Sequence, residues 1–242
     1  MAGHSKWANI KHRKGRQDAK RSKLWSKCSR AIIAAAKAGG PDPAANLTLR
    51  YAIEDAKSQN MPKDTIEKAV AKGAGAGEGA DYEEILYEGY GPAGVAVMLE
   101  ILTDNRNRTA PEVRKIFEKA GGALGASNSV AFQFERKGEL LLEPDAGTED
   151  QVMELALEAG AEDVESSDDG HRIVTEPTDF LAVRQALDAA DIAPAWAGIR
   201  MLPVNTAACS GKDAEKFLRF LDDLEDHDDI QAVHHNAEIP DD

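Results

Sequence analysis

The chain has 242 residues, 42% of them hydrophobic, and a formal net charge of -14. This composition suffices for packed cores, whereas the longest apolar runs, such as AIIAAA at residues 31–36, are far below the roughly 18 residues that a membrane span needs. Cys28 and Cys209 lie far apart and outside any C-x-x-C pair, which argues against a disulfide framework or a zinc knuckle and favours a cytoplasmic protein.

Charge is distributed unevenly along the chain. Residues 1–37 carry a net charge of +10, with Asp18 as their single acid, whereas residues 73–242 carry -24. Such an asymmetry indicates a polyanionic partner at the basic end. A mitochondrial transit peptide has a similar composition, but here the basic run passes directly into a predicted helix with an apolar face, which favours a part of the folded protein.

The first predicted helix covers residues 18–37, where apolar and cationic side chains recur at helical spacing. Its apolar side is formed by Leu24, Trp25, Cys28, Ile32 and Ala35. The opposite side carries Lys20, Lys23, Lys27, Arg30 and Lys37. The helix is therefore predicted to be amphipathic, with one positive face.

Two more helices complete the basic part of the chain. We expect Asp42 to cap the second, with Pro43 at its first position. The third is predicted to begin near Pro62, with Ile66, Ala69 and Val70 facing inward. The glycine-rich stretch KGAGAGEGAD at residues 72–81 then ends the helical pattern and predicts a linker.

Strands and helices alternate beyond the linker. Residues 82–104 predict two strands around a Gly-Pro turn, and a capping box from Thr109 to Glu112 predicts a helix through Lys119. AFQFE at residues 131–135 predicts a further strand. Residues 138–203 follow the order β-α-β-β-α-β, which is the ferredoxin-like arrangement. A helix at 210–226 and a strand at 229–235 are expected to complete the sheet that begins at residue 82.

These elements predict a multi-domain α+β protein. Residues 1–78 would form a basic arm and a three-helix domain. Residues 79–135 together with 204–242 would form a discontinuous central α/β domain, and residues 136–203 an inserted ferredoxin-like βαββαβ domain.

The sequence offers no catalytic or cofactor signature. Residues 89–94, GYGPAG, match G-x-G-x-x-G, but a strand is predicted to follow where a dinucleotide site needs a helix N-terminus, so a hairpin turn is the better interpretation. A metal site from His227, His234 and neighbouring acids is conceivable, but solvated surface residues are the default. We expect no cofactor, no metal and no enzymatic activity, with an enzyme built from residues distant in sequence as a remote alternative.

The segment TDNRNRT at residues 103–109 carries Arg106 and Arg108 within the acidic half and allows two interpretations. Either the arginines pair with nearby carboxylates, or they form a second phosphate contact at a helix N-terminus. At the basic end, Trp7, His12 and Trp25 are interleaved with the cations as possible stacking groups, which favours contact with nucleic acid.

Several motifs together resemble the YebC/PmpR family: MAGHSKWANIKHRK at the start, GGPDP at 39–43, NMPKDTIEKA, YEGYGP and TDNRNRT. The resemblance implies the three domains above and no catalysis. Members are described as probable DNA-binding transcriptional regulators, while others, including a mitochondrial relative, are regarded as translational activators at the ribosome. Asn128 stands where a glycine is usual, which Asn tolerates if the backbone there is left-handed, and His234 stands where an aromatic is common.

The prediction is therefore a cytoplasmic regulator of gene expression that binds nucleic acid, with DNA as the leading target. Ribosomal RNA, bound at the ribosome, is the close alternative, and no membrane partner is expected. The resemblance points to Lys6, Lys11, His12, Arg13, Lys14 and Arg16, and secondarily to Arg106 and Arg108. The cationic helix adds Lys20, Arg21, Lys23, Lys27 and Arg30 to the candidate nucleic-acid-binding residues.

Overall fold

A computed structural model of the protein describes residues 21–75 and 81–240, apart from the side chains of Arg21 and Ser22. It is a mixed helix-and-sheet structure with a helical part followed by an α/β part, which confirms the predicted α+β, multi-domain fold class. The domain boundaries given above stay a prediction. Among the described residues, no helix is both long enough and apolar enough to cross a membrane.

The helical part is a bundle of α1 (Arg21–Gly39), α2 (Leu47–Ser58) and α3 (Lys63–Gly73). Its core contains Cys28 and Ile32 from α1, Leu49 from α2, and Ile66 and Ala69 from α3. The apolar stripes of the first and third predicted helices are thus confirmed, because each buries its stripe against the other two helices.

Trp25, a possible stacking group by its sequence position, is a partly buried residue of the bundle, and its stacking on nucleic acid stays a prediction. Its ring packs against the bundle core, and its Nε1 donates to the carbonyl oxygen of Gln59 at 3.0 Å. An indole that is half-buried and whose N–H donates to a carbonyl of the same bundle contributes to the structure of that bundle.

The second helix begins later than predicted, because Asn46 and not Asp42 is its N-cap. The Asn46 side chain accepts from the Leu49 amide at 3.0 Å and donates to the carbonyl oxygens of Ala35 and Gly40, both at 2.8 Å. One side chain therefore caps α2 and satisfies carbonyls near the end of α1. Asp42 instead accepts from the Ala44 amide in the preceding turn.

The α/β part contains a sheet with the strand order β3-β1-β2-β9, built from β1 (Glu83–Tyr90), β2 (Ala96–Thr103), β3 (Ala123–Leu124) and β9 (Ile230–His235). β2 pairs antiparallel with β9, with Leu99 opposite Val233, so the C-terminal strand completes this sheet as predicted. Two helices, α4 (Arg106–Lys119) and α7 (Gly211–Glu225), cover one face of the sheet. Phe117 and Phe220 meet there edge to face, with ring centroids 4.9 Å apart.

Residues 91–95 form the predicted hairpin connection, and Gly89 and Tyr90 are the last residues of β1. A 3₁₀ turn, Pro92–Gly94, is followed directly by β2, and Ala93 and Gly94 have φ values of 58° and 73°. A strand and not a helix follows these glycines, so the interpretation as a turn is confirmed.

The helix α4 begins at Arg106, three residues before the predicted start at Thr109, with Asn105 as its N-cap. The predicted capping box is wrong because Thr109 is buried inside the helix and its hydroxyl bonds to Asp229 at 2.7 Å. Asn105 provides the cap by accepting from the Arg108 amide at 3.2 Å.

A second sheet has the strand order β5-β6-β4-β7. It comprises β4 (Phe134–Leu142), β5 (Ala161–Ser167), β6 (Gly170–Thr175) and β7 (Trp196–Pro203). With α5 (Glu149–Glu158) and α6 (Phe180–Ala189), these strands follow the predicted β-α-β-β-α-β order. AFQFE is not a separate strand: residues Ala131–Gln133 form a 3₁₀ turn, and Phe134 already belongs to β4. Two short strands, β8 (Ala207–Ala208) and β10 (Ala237–Glu238), pair with each other.

A buried carboxylate holds the loop between β3 and β4. Glu88 accepts from the amides of Asn128, Val130 and Ala131 at 2.7, 2.8 and 2.9 Å. The backbone of Asn128 is left-handed, with φ 66°, a conformation that Asn tolerates better than most residues.

Candidate nucleic-acid interface

The cationic side of α1 lies against the C-terminal end of α7. We call residues 225–229 the α7 end. Its carbonyl oxygens accept hydrogen bonds from three cations: Lys23 to Asp226 at 3.0 Å, Lys27 to Glu225 at 2.7 Å and Arg30 to Asp228 at 2.7 Å. The last carbonyls of a helix lack intrahelical partners and carry the negative end of its dipole, so they attract cations.

Asp229 lies at the centre of this contact and is only 3% exposed. Its Oδ1 accepts from Arg30 Nη1 at 2.7 Å. Its Oδ2 accepts from Arg108 Nη2 at 2.7 Å, from Thr109 Oγ1 at 2.7 Å and from Thr103 Oγ1 at 3.2 Å. One carboxylate thereby joins the helical bundle, the end of β2 and the start of α4.

This network keeps Asp229 ionised. Burial alone would raise the pKa of its carboxyl group, but the hydrogen bonds from Arg108 and Thr109, with the charges of Arg108 and Arg30, outweigh burial and hold the pKa below its usual value. A buried carboxylate with two arginines and two hydroxyls is a fully partnered anion, so the loss of either arginine weakens the compensation of its charge.

Lys27 is in the opposite situation. Burial lowers the pKa of its ammonium group from 10.5 to about 8, although Glu225, Asp228 and Asp226 raise it and only Lys23 adds to the lowering. The ammonium group donates to a neutral carbonyl, which replaces its hydration less completely than a carboxylate would.

Both arginines of the segment 103–109 pair with carboxylates. Arg108 contacts Asp104 at 3.1 Å as well as Asp229, and Arg106 lies 3.6 Å from Glu83. This is the first of the two interpretations that the sequence allows. The second, a phosphate contact by these arginines, stays a prediction.

The remaining predicted site residues lie outside what the structure describes. These are Lys6, Lys11, His12, Arg13, Lys14, Arg16 and Lys20, together with the side chain of Arg21. Of the described candidates, the structure brings Lys23, Lys27, Arg30 and Arg108 to the α7 end and leaves Arg106 at the surface beside Glu83.

Sequence reasoning missed the partners of these cations. Asp229 is 199 residues from Arg30 along the chain, and no periodicity connects the two. One signal was available: the acidic run LDDLEDHDD at residues 221–229 is complementary in charge to the basic helix. Charge complementarity alone does not identify which acid is buried, because most acidic runs are solvated.

The histidines that were considered as metal ligands point to separate partners. His227 lies 3.1 Å from Glu112, and His234 lies 2.9 Å from Glu100. The hydrogen bond from His234 lowers the pKa of Glu100, against the effect of burial. Within residues 21–75 and 81–240, no group of three or more His, Cys, Asp or Glu side chains is arranged to hold a metal ion.

A basic helical bundle joined by ion pairs to an α/β body, with a βαββαβ unit, defines the class as a multi-domain α+β protein. Comparison with known proteins places the chain within that class. Residues 5–76 match the TACO1/YebC protein N-terminal domain, and residues 82–237 match the TACO1/YebC second and third domain. The chain therefore belongs to the TACO1/YebC family, which confirms the resemblance found in the sequence.

Curated relatives are similar over their full length. A protein of Desulfatibacillum aliphaticivorans is 51% identical over 242 residues, covering 100% of this chain and 98% of the relative. One of Shewanella oneidensis is 55% identical over 243 residues, covering 100% and 97%. Both are named probable transcriptional regulatory protein, which describes a regulator and not an enzyme.

A solved structure has the same fold. The crystal structure of a conserved hypothetical protein from Aquifex aeolicus is 45% identical to this chain and covers 93% of each chain, with a TM-score of 0.83. The arrangement of helices and sheets described above is thus shared with an experimentally determined relative.

Proposed function

We propose that this protein is a non-enzymatic, nucleic-acid-binding regulator of gene expression that acts in the cytoplasm. The observation that carries the proposal is the separation of charge, with +10 in residues 1–37 and -24 in residues 73–242. The acidic part repels a polyanion while the basic end attracts one, so contact is confined to one end of the molecule. The relatives' names support the role of a regulator.

We assign the main contact to the basic arm, through Lys6, Lys11, His12, Arg13, Lys14, Arg16, Lys20 and Arg21. The cations of α1, namely Lys23, Lys27 and Arg30, and the two arginines of α4, Arg106 and Arg108, are secondary because they already have partners in the protein. Lysine side chains bind phosphates but discriminate poorly between bases, so we expect contacts with the nucleic-acid backbone and a weak preference for base sequence.

DNA is the leading target, because the relatives are named as transcriptional regulators. Ribosomal RNA is a second candidate, favoured by a specific observation. Direct readout of duplex DNA needs an element free to enter the major groove, and the cationic side of α1 is turned toward the α7 end. An arm that enters an RNA-lined cleft would keep the acidic body clear of phosphate.

Charge reversal tests whether the arm binds nucleic acid. A variant with Lys11, Arg13, Lys14 and Arg16 changed to Glu should lose binding to duplex DNA and to RNA in a gel-shift titration, with a nearly unchanged melting temperature. The matched control changes Arg114, Lys115, Lys212 and Lys216 to Glu, which alters the net charge equally but at exposed positions of α4 and α7. Equal affinity of the arm variant and the wild type would contradict the proposal.

Crosslinking in cells distinguishes the two targets. The protein is crosslinked, and the attached nucleic acid is sequenced. Discrete promoter sites that survive moderate salt would support DNA and reject the ribosomal candidate. Recovery of one ribosomal RNA region without promoter enrichment would reject the transcriptional one.

A further inference from the structure

The contact between α1 and the α7 end uses the same cations that sequence reasoning assigned to nucleic acid. We call this contact the latch: the side chains of Lys23, Lys27 and Arg30 on one side, and the α7 end on the other. Among the described residues, the hydrogen bonds of Lys23 and Lys27 go to neutral main-chain carbonyls. A phosphodiester carries a full negative charge, so it is the stronger acceptor for either ammonium group.

The rest of the contact between the bundle and the body is small. The buried apolar residues of the bundle form a cluster of their own, with Tyr82 as a partly buried neighbour. Toward the second sheet, Tyr51 meets Phe180 edge to face with ring centroids 6.2 Å apart, and Arg184 lies 3.4 Å from Glu54. Tyr51 packs against the core of the second sheet and Tyr82 against that of the bundle, but among the described residues the buried members of the two cores are separate. The latch is therefore a substantial part of what positions the bundle.

Phosphates and the α7 end compete for the latch cations. The carboxylates of Glu225, Asp226 and Asp228 lie close enough to act on Lys27, so a phosphate that approaches the cations while the latch is closed is repelled by the α7 end. We propose that nucleic acid competes with the α7 end for Lys23, Lys27 and Arg30, so that its binding releases the helical bundle from the α/β body. This inference rests on the proposed function and adds its regulation: the closed form is the nucleic-acid-free form.

Thermodynamic linkage gives the proposal a second consequence. If the latched form binds nucleic acid less tightly, weakening the latch from the α7 side raises the apparent affinity, although the altered residue touches no nucleic acid. Asp229 is the residue to change, because its carboxylate is the charged partner of Arg30 on that side.

Energy transfer between two dyes measures release directly. Glu67→Cys on α3 and Arg219→Cys on α7 are exposed labelling positions, whereas the native Cys28 and Cys209 are buried. Titration with a 20-base-pair DNA and with a single-stranded RNA of equal length should lower the transfer in step with binding measured by anisotropy. Binding of either probe without any change in transfer would overturn the latch and leave the proposed function standing. Failure of both probes to bind would contradict the proposed function itself.

A matched pair of variants tests the linkage. Asp229→Asn weakens the latch, while Asp223→Asn makes the same change of charge at a partly exposed residue of α7 that pairs with Lys119 at 2.8 Å. Asp229→Asn should bind DNA about threefold to tenfold more tightly than Asp223→Asn, and its dye pair should show lower transfer before DNA is added. Equal affinities would overturn the inference, and the titration of the wild-type dye pair decides independently if Asp229→Asn does not fold.

Discussion

Replacement of Lys27 by Met should remove a specific part of the pH dependence of stability. The folded protein lowers the pKa of Lys27 from 10.5 to about 8, with burial as the main cause. Between these two values the unfolded chain holds a proton that the folded chain has released, so the wild type becomes more stable as the pH rises. Below about pH 8 the Lys27 side chain is protonated in both the folded and the unfolded protein, so it adds no pH dependence to the stability.

The size of the effect follows from the same values. At about 1.4 kcal/mol per pH unit, the full lowering corresponds to about 3 kcal/mol, of which about 2 kcal/mol falls between roughly pH 7.5 and pH 10. Lys27 is partly exposed, so solvent screening reduces the figure. We expect the wild type to gain about 1 kcal/mol relative to Lys27→Met over this range.

Urea unfolding followed by circular dichroism at a series of pH values provides the assay. Burial raises the pKa of the Cys28 thiol to about 12. Groups such as this thiol titrate in both proteins, so their contributions to the pH dependence of stability largely cancel when the two proteins are compared. Lys57→Met, at an exposed position of α2, is the control and should keep the pH profile of the wild type. If Lys27→Met and the wild type show the same pH profile, the packing of Lys27 against the α7 end is not as described.

Three further predictions concern single side chains. Asp229→Ala should cost about 1–3 kcal/mol of unfolding free energy, because two buried hydroxyls lose their charged acceptor and two partly exposed arginines lose their partner, whereas Asp223→Ala at the surface should cost less than about 1 kcal/mol, both measured by urea unfolding. Glu88→Gln places an amide NH₂ among three backbone donors and should cost about 1–3 kcal/mol, whereas exposed Glu84→Gln should be nearly neutral in the same measurement. Asn128→Ala should lower the melting temperature because φ there is 66°, corresponding to about 1 kcal/mol, while Asn128→Gly should be tolerated; equal effects of the two would contradict a left-handed backbone.

Elements with a long periodic pattern could be predicted from the sequence. The stripe of Cys28 and Ile32, and that of Ile66 and Ala69, place each helix correctly because a buried stripe has few alternative arrangements. The βαββαβ order was likewise predictable, since each strand and helix there has its own period and a clear turn between them. The fold class thus followed from local patterns.

Helix starts were predicted less well, because several residues near each start could serve as the cap. Asp42 and Thr109 have suitable chemistry, but Asn46 and Asn105 provide the caps. Asn46 has an amide NH₂ that bonds back to α1, and Thr109 is drawn to Asp229 instead. In both helices a contact with a residue outside the helix determines which residue is the cap, and the local sequence pattern does not predict such contacts.

The candidate site was predictable on one side only. The cations of α1 stand out by their charge and spacing, whereas their partners are main-chain carbonyls, which every residue possesses, and one acid among many. The groups that accept hydrogen bonds from these cations can therefore be identified only from the folded structure.

The latch also constrains where nucleic acid first meets the protein. Screening lengths near 8 Å at physiological salt limit each charge to its surroundings, and the α7 end places Glu225, Asp226 and Asp228 beside the cations of α1. In the latched form that face is therefore locally compensated, whereas residues 1–20 carry six Lys and Arg against one acid, Asp18. Encounter should then depend on the arm, and engagement of α1 should follow it. Affinity should fall steeply with salt, because phosphate contacts release counterions, and the rate of bundle release should saturate as DNA is added, because release follows the encounter. A release rate that rises linearly with DNA concentration without saturating would mean that nucleic acid attacks the latch directly, without prior binding to the arm.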